Sequence, residues 1–175
     1  MLWRAAPGYN RAAHNDSLRM KWHISLESPD QAAVLRLIDE LDAYQKPLYP
    51  PESHHGIDVQ ALLQPNVLFA VMRDAQHQAV GCGAMVIGPR HGELKRMYVQ
   101  PALRGLGAGR ALLQWLEQQA LQRACSVFVL ETGVLQHAAL ALYARAGYTP
   151  CEPFDAYQPD PHSVFLRKVA PISGA

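Results

Sequence analysis

The stretch that decides the fold reads Val99-Gln100-Pro101-Ala102-Leu103-Arg104-Gly105-Leu106-Gly107-Ala108-Gly109-Arg110. Before it, residues 93–99 (ELKRMYV) predict a strand closed by Gln100-Pro101. After it, Leu112, Leu113, Leu116 and Leu121 form one apolar stripe and predict a helix over residues 108–123. The glycines between let backbone N–H groups approach a ligand closely. The helix start adds unpaired N–H groups and the positive end of its dipole, and Arg104 and Arg110 add charge. Such a strand, glycine turn and helix suit a diphosphate or a similar anion.

Working outward, residues 21–27 (KWHISLE) alternate like a strand. Ser28 and Pro29 then suit the N-cap and first position of a helix whose face carries Val34, Leu35, Ile38 and Leu41. That helix should stop before Pro47. Residues 48–56 (LYPPESHHG) read as a loop, and 57–63 as a short second helix. Strands at 67–73 and 79–87 flank a turn at 74–78, which predicts a hairpin. Beyond the central helix, residues 126–130 (SVFVL) are continuously apolar and read as a buried central strand. Residues 136–146 predict a helix ended by Gly147, and 163–169 a last strand. The antiparallel group followed by a strand–helix–strand crossover predicts a mixed α/β sheet with one parallel pair and helices on both faces.

The bulk numbers fit one domain. The chain has 175 residues, 49% of them hydrophobic and 18% charged. Its 16 basic and 15 acidic residues leave a net charge of +1, which argues against a general nucleic-acid or anionic-membrane binder. Three separated cysteines, Cys82, Cys125 and Cys151, argue against a zinc ribbon or a disulfide framework. No apolar run is long enough to span a bilayer, and reduced thiols point to the cytoplasm. Residues 1–19 read as a loose extension ahead of a single domain at 20–171. Their arginines are faintly like a transit peptide.

Two nucleotide-binding turns are excluded by their own chemistry. A P-loop ends in Gly-Lys-Ser/Thr, where this chain has Gly109-Arg110-Ala111. A dinucleotide turn needs Gly-x-Gly-x-x-Gly early in a βαβ unit, and here both place and spacing differ. Instead, Glu93 to Val99, Pro101 and Arg104-Gly105-Leu106-Gly107-Ala108-Gly109-Arg110 resemble the acetyl-CoA motif of the GCN5-related N-acetyltransferases, the GNAT family. Ala139-Leu140-Ala141-Leu142-Tyr143-Ala144-Arg145-Ala146-Gly147-Tyr148 resembles that family's second hallmark helix, although Gln136 stands where Asn is frequent. The resemblance covers roughly Trp22 to Lys168. Leu130-Glu131-Thr132-Gly133, Phe154-x-x-Tyr157 and Asp160-Pro161-x-Ser163-x-Phe165 point to a bacterial branch that carries only a generic acetyltransferase label.

The resemblance implies a GNAT fold of six to seven mostly antiparallel strands, with strands four and five parallel and splayed. It implies acetyl-CoA as cosubstrate, with pantetheine between those strands on the backbone of Met97, Tyr98 and Val99. The pyrophosphate would lie on Arg104, Gly105, Leu106, Gly107, Ala108, Gly109 and Arg110, and Gln136, Ala139 and Tyr143 would complete the cofactor site. Tyr143 matches the family tyrosine near the sulfur; a phenol of pKa about 10 can protonate a thiolate near 8.5. Its alternative is a core aromatic. The base is expected at Glu93, with Glu131 as rival, and either could be a plain ion-paired carboxylate. A bulge in strand four would shift the alternation, so strand parity does not decide between them. His54, His55, Arg96, Glu131, Phe154 and Tyr157 are candidates for acceptor contact. Lys95 and Arg96 would suit an acceptor carboxylate. No third ligand at metal spacing accompanies the histidine pair, so no metal is expected.

The expected activity is transfer of acetyl from acetyl-CoA to a small amine, of amino acid or polyamine type, by direct attack in a ternary complex. The alternatives are a protein or peptide N-acetyltransferase and a non-catalytic acyl-CoA sensor. A narrow site closed by the 48–56 loop favours the small molecule, and an open groove the peptide. No nucleic-acid or membrane partner is expected, and a homodimer is left open.

Overall fold

A computed structural model describes residues 22–171. The expectation for residues 1–19 lies outside the described residues. One seven-stranded sheet organises the chain, in the order β1-β2-β3-β4-β5-β7-β6. Its strands are β1 (His23–Leu26), β2 (Val67–Arg73), β3 (Ala79–Ile87), β4 (Gly92–Val99), β5 (Val127–Gly133), β6 (Thr149–Pro150) and β7 (Ser163–Val169). The helices are α1 (Ala32–Gln45), α2 (Val59–Leu62), α3 (Ala108–Leu121) and α4 (His137–Arg145). Every strand pair is antiparallel except β4 with β5.

Two cores lie on opposite faces of the sheet. α1 lays Val34, Leu37, Ile38 and Leu41 against Phe69, Val71, Cys82, Ala84 and Tyr98. α3 lays Leu112, Leu113 and Leu116 against Leu68, Met72, Met85, Leu94 and Phe128 on the other face. In both helices the buried residues recur at steps of three and four, the spacing that puts side chains on one face. Alternate residues of β2 serve the two cores, which is why that strand reads as a nearly continuous apolar run.

Two local expectations are corrected and one short strand is added. Helix α1 begins at Ala32 with Gln31 as its N-cap, so Ser28 and Pro29 lie in the preceding turn. Ser28 Oγ there accepts from the Asp30 amide at 3.2 Å. Gln31 is held outside the helix because its amide donates to Glu27 and accepts from Arg73. Strand β5 continues to Gly133, beyond the apolar run at 126–130, because β7 pairs with it over its whole length. Strand β6 is two residues long and is held by tertiary pairing to β7.

The pairing of β4 sets up the site. It meets β5 only at Gly92 with Phe128 and Glu93 with Val129. Past Glu93 the two strands diverge, leaving the β5-facing edge of β4 without a ladder. On its other edge β4 carries a bulge. Cys82 pairs with Tyr98 but Ala84 with Lys95, so an extra residue sits opposite Gly83. Arg96 takes a φ of 54° there, a left-handed conformation that costs a non-glycine residue about 1–2 kcal/mol. Its guanidinium offsets that cost, binding the Asp42 carboxylate and the Ile57 carbonyl, the latter at 2.9 and 2.7 Å. The Met97 sulfur fills the space a side chain at Gly83 would need, 2.5 Å from where a Cβ would lie.

Candidate active site

The glycine turn after β4 forms an open cradle. Gly105 and Gly107 have φ of 77° and 89°, which an L side chain rarely adopts. A Cβ at either position would meet nothing within 4 Å. Gly107 is the N-cap of α3, and the first helical amide with a backbone acceptor is Ala111, on Gly107 at 3.0 Å. The amides of Ala108, Gly109 and Arg110 therefore face outward unpaired, at the positive end of the helix dipole. Arg104 lies over the rings of Tyr44 and Tyr98, 5.4 and 5.9 Å from their centroids, and Tyr98 is anchored by its hydroxyl on Glu40 at 2.9 Å. These groups fit a diphosphate.

Where β4 and β5 part, a cavity of about 260 Å³ opens. Leu94 to Met97 form one wall, Glu131 to Gly133 the other, and Gln136, Ala139 and Tyr143 of α4 one end. Tyr49, His54 and His55 of the 46–56 segment close the top. Tyr143 is 6% exposed, and burial raises its phenol pKa, with the Glu131 charge adding to the shift, so it stays protonated at neutral pH. Burial likewise raises the Glu131 pKa above the ordinary carboxylate range, against the hydrogen bond from Ser163 and the charges of His55 and Lys95. Ser163 Oγ donates to Glu131 Oε1 at 2.6 Å.

Glu93 faces elsewhere. Its Oε1 accepts from the Tyr157 hydroxyl at 2.7 Å and is ion-paired with Lys95 Nζ at 2.8 Å. Lys95 also donates to the Tyr157 oxygen and, at 3.2 Å, to the His55 carbonyl. Glu93 lines a second, adjoining cavity with Glu52, Asp155, Asp160 and Tyr157; Ser53, His55 and His162 border both. Phe154 lines neither cavity; it packs edge-on against Tyr157, His91 and Phe165 at centroid distances of 5.0, 5.5 and 5.8 Å. Tyr98 points into the α1 core and Val99 packs against the α3 core.

Of the residues expected at the site, the cavity thus gathers Glu131, Tyr143, Gln136, Ala139, Met97, Arg96, His54 and His55. The Arg104–Arg110 turn stands apart from it at the start of α3. Sequence reading gave no site role to Asp42, Tyr49, His162 or Ser163, which reach the site from three segments far apart in the chain. Among the described residues no cluster of three potential metal ligands occurs, and no helix is long and apolar enough to cross a membrane.

The sequence profile of the Acetyltransferase (GNAT) family matches residues 35–148, more than half of the chain. The chain belongs to the GNAT family. This GNAT chain is 46% identical over 147 residues to the IAA acetyltransferase of Azospirillum brasilense, covering 83% of its own length and 95% of that protein. It is 32% identical over 149 residues to the uncharacterized N-acetyltransferase YsnE of Bacillus subtilis, covering 83% and 98%. A solved structure from Klebsiella pneumoniae, named provisionally as an acyl-CoA N-acyltransferase, superposes with a TM-score of 0.73 at 42% identity, over 85% of this chain and 97% of that one. The fold extends to the PaiA N-acetyltransferase of Thermoplasma acidophilum, solved with coenzyme A, at a TM-score of 0.66 and 15% identity, covering 86% and 99%. This GNAT chain is therefore an acyltransferase with the mixed α/β sheet of its family.

Proposed function

We propose that the protein transfers an acetyl group from acetyl-CoA to the amine of a small molecule, by direct attack in a ternary complex. The observation that carries this reading is the cavity of about 260 Å³ between β4 and β5, lined by both Glu131 and Tyr143. A volume of that order suits an acceptor of modest size, and Lys46, Tyr49, Ser53, His54, His55 and Gly56 contribute to its lining.

The cosubstrate supplies an acetyl group activated as a thioester. The amides of Ala108, Gly109 and Arg110, with Arg104, would hold its diphosphate, and the free edge of β4 its pantetheine arm. Gln136 and Ala139 would border that arm near the sulfur. Glu131 takes the proton from the acceptor ammonium, whose pKa of about 10 keeps it charged at neutral pH. The N–C bond forms first and gives a tetrahedral oxyanion; on its collapse the C–S bond breaks, Tyr143 gives its proton to the departing sulfur, the second nitrogen proton returns to the Tyr143 phenolate, and Glu131 releases the first proton to solvent. Backbone N–H groups on the open edge of β4 are the donors for the oxyanion.

Glu131 is preferred to Glu93 as base. It lines the same cavity as Tyr143, it has no ion-pair partner among the described residues, and its raised pKa makes it the stronger base. Glu93 is engaged by both Lys95 and Tyr157. A thiol-release screen with acetyl-CoA across alkylamines, diamines, amino acids and short peptides tests the reading. Saturable release with small amines and none with peptides is expected. Efficient turnover of peptides alone would overturn it.

A further inference from the structure

The cationic side chains of the acceptor cavity are already committed. Arg96 spends its guanidinium on Asp42 and on the Ile57 carbonyl. Lys95 binds Glu93, the Tyr157 oxygen and the His55 carbonyl. Lys46 is largely exposed and lies 3.3 Å from Asp42. Two histidines are engaged as well: His54 Nε2 is 3.1 Å from the Tyr49 carbonyl and His55 Nε2 is 3.7 Å from Asp160, while His162 makes only an edge-on ring contact with Tyr49 at 6.2 Å. Glu131 is the opposite case. It accepts from a serine hydroxyl, and no lysine, arginine or histidine bridges it among the described residues.

Resting on the reading of this cavity as the acceptor site, we propose that the acceptor is an amine with no carboxylate beside the reacting nitrogen. It is an alkylamine or polyamine, and α-amino acids are excluded. The physical reason is desolvation. An ammonium entering beside Glu131 gains a carboxylate partner in a low-dielectric space. A carboxylate entering with it would be buried against Glu131 without an uncommitted lysine or arginine. The adjoining cavity does not reverse the sign. Glu52, Glu93, Asp155 and Asp160 line it, and no lysine or arginine does among the described residues. On this reading Lys95 and Arg96, which the sequence offers for an acceptor carboxylate, serve internal ion pairs instead.

Isoamylamine, leucine and leucinamide form a matched set that separates charge from bulk. With acetyl-CoA at saturation, isoamylamine should exceed leucine in kcat/KM by roughly a hundredfold or more, since like-charge juxtaposition costs several kcal/mol. Leucinamide should recover most of the difference. The more acidic α-ammonium of leucine would by itself favour leucine, so intrinsic reactivity cannot mimic the result. Calorimetric titration of the same compounds into CoA-saturated protein reads the preference without turnover. If no amine releases thiol, the proposed function falls while calorimetry still decides this inference. Asp42→Asn removes one partner of Arg96 and leaves its two bonds to Ile57. It should narrow the isoamylamine-to-leucine ratio about tenfold, through one charge-assisted hydrogen bond to the leucine carboxylate. Leucine matching isoamylamine in the wild-type protein, or a ratio unmoved by Asp42→Asn, would overturn the proposal.

Discussion

The phenol ring of Tyr49 occupies the space that a side chain at position 133 would need. A Cβ at position 133 would overlap both Cζ and the hydroxyl oxygen of Tyr49. That oxygen also accepts the amide of Leu135 at 3.0 Å, so the 46–56 segment is latched across the end of β5 onto the approach to α4. Gly133→Ala should therefore evict Tyr49, raise the KM for the acceptor and admit bulkier amines. Tyr49→Ala should do the same, and the double variant should match Tyr49→Ala alone, because both changes remove one contact. Acceptor-size profiles and a double-mutant cycle check this, and additive effects would show that the two residues act separately.

Glu131→Gln should lower kcat by about a hundred- to ten-thousandfold, the usual worth of a general base. In the wild-type protein the acid limb of kcat/KM should lie above the ordinary carboxylate range. The sign follows from the raised pKa, since Glu131 is protonated and inactive below it and competent above it. Glu93→Gln should leave the position of that limb unchanged and act through loss of its contacts with Lys95 and Tyr157. A limb that moves in Glu93→Gln and stays in Glu131→Gln would reverse the assignment.

Tyr143→Phe keeps the aromatic packing against Tyr148, whose centroid is 5.7 Å away, and removes the proton donor. Turnover should fall about ten- to a thousandfold with little change in thermal stability. Wild-type kinetics in this variant would remove Tyr143 from the mechanism.

Gly107→Trp should abolish acetyl-CoA binding, measured by calorimetry. The position has a φ of 89° and opens onto unfilled space over the helix N-terminus, so a bulky side chain would both strain the turn and cover its amides. Unchanged affinity in a folded variant would refute the cradle.

Glu27 offers a test of stability away from the site. Arg73 hydrogen-bonds its carboxylate through two nitrogens at 2.9 and 2.6 Å. That contact lowers its pKa from 4.5 to about 2. A depressed pKa means the stabilisation is present above pH 4.5 and is lost as pH falls toward 2. Glu27→Gln should cost about 1–2 kcal/mol near neutral pH, the discounted worth of a well-aligned but partly exposed pair. The difference from wild type should shrink steadily below pH 4.5, as followed by denaturant unfolding.

The sequence by itself determined the element order, the antiparallel hairpin of β2 and β3, the β4–α3 turn and the one parallel pair. Those features rest on local chemistry: periodicity, glycine and proline positions, and the free amides of a helix start. It named Tyr143 and both candidate carboxylates, because hallmark motifs are contiguous. Tertiary structure alone decided which carboxylate faces the cavity. The bulge at Arg96 shifts the alternation of β4, and Lys95 and Tyr157, distant in sequence, engage Glu93. It also decided that Arg96 and Lys95 are occupied within the protein, and that Tyr49 closes the cavity over Gly133. A charge is free or paired, and a space open or filled, according to side chains brought together from far along the chain, and no local pattern records that.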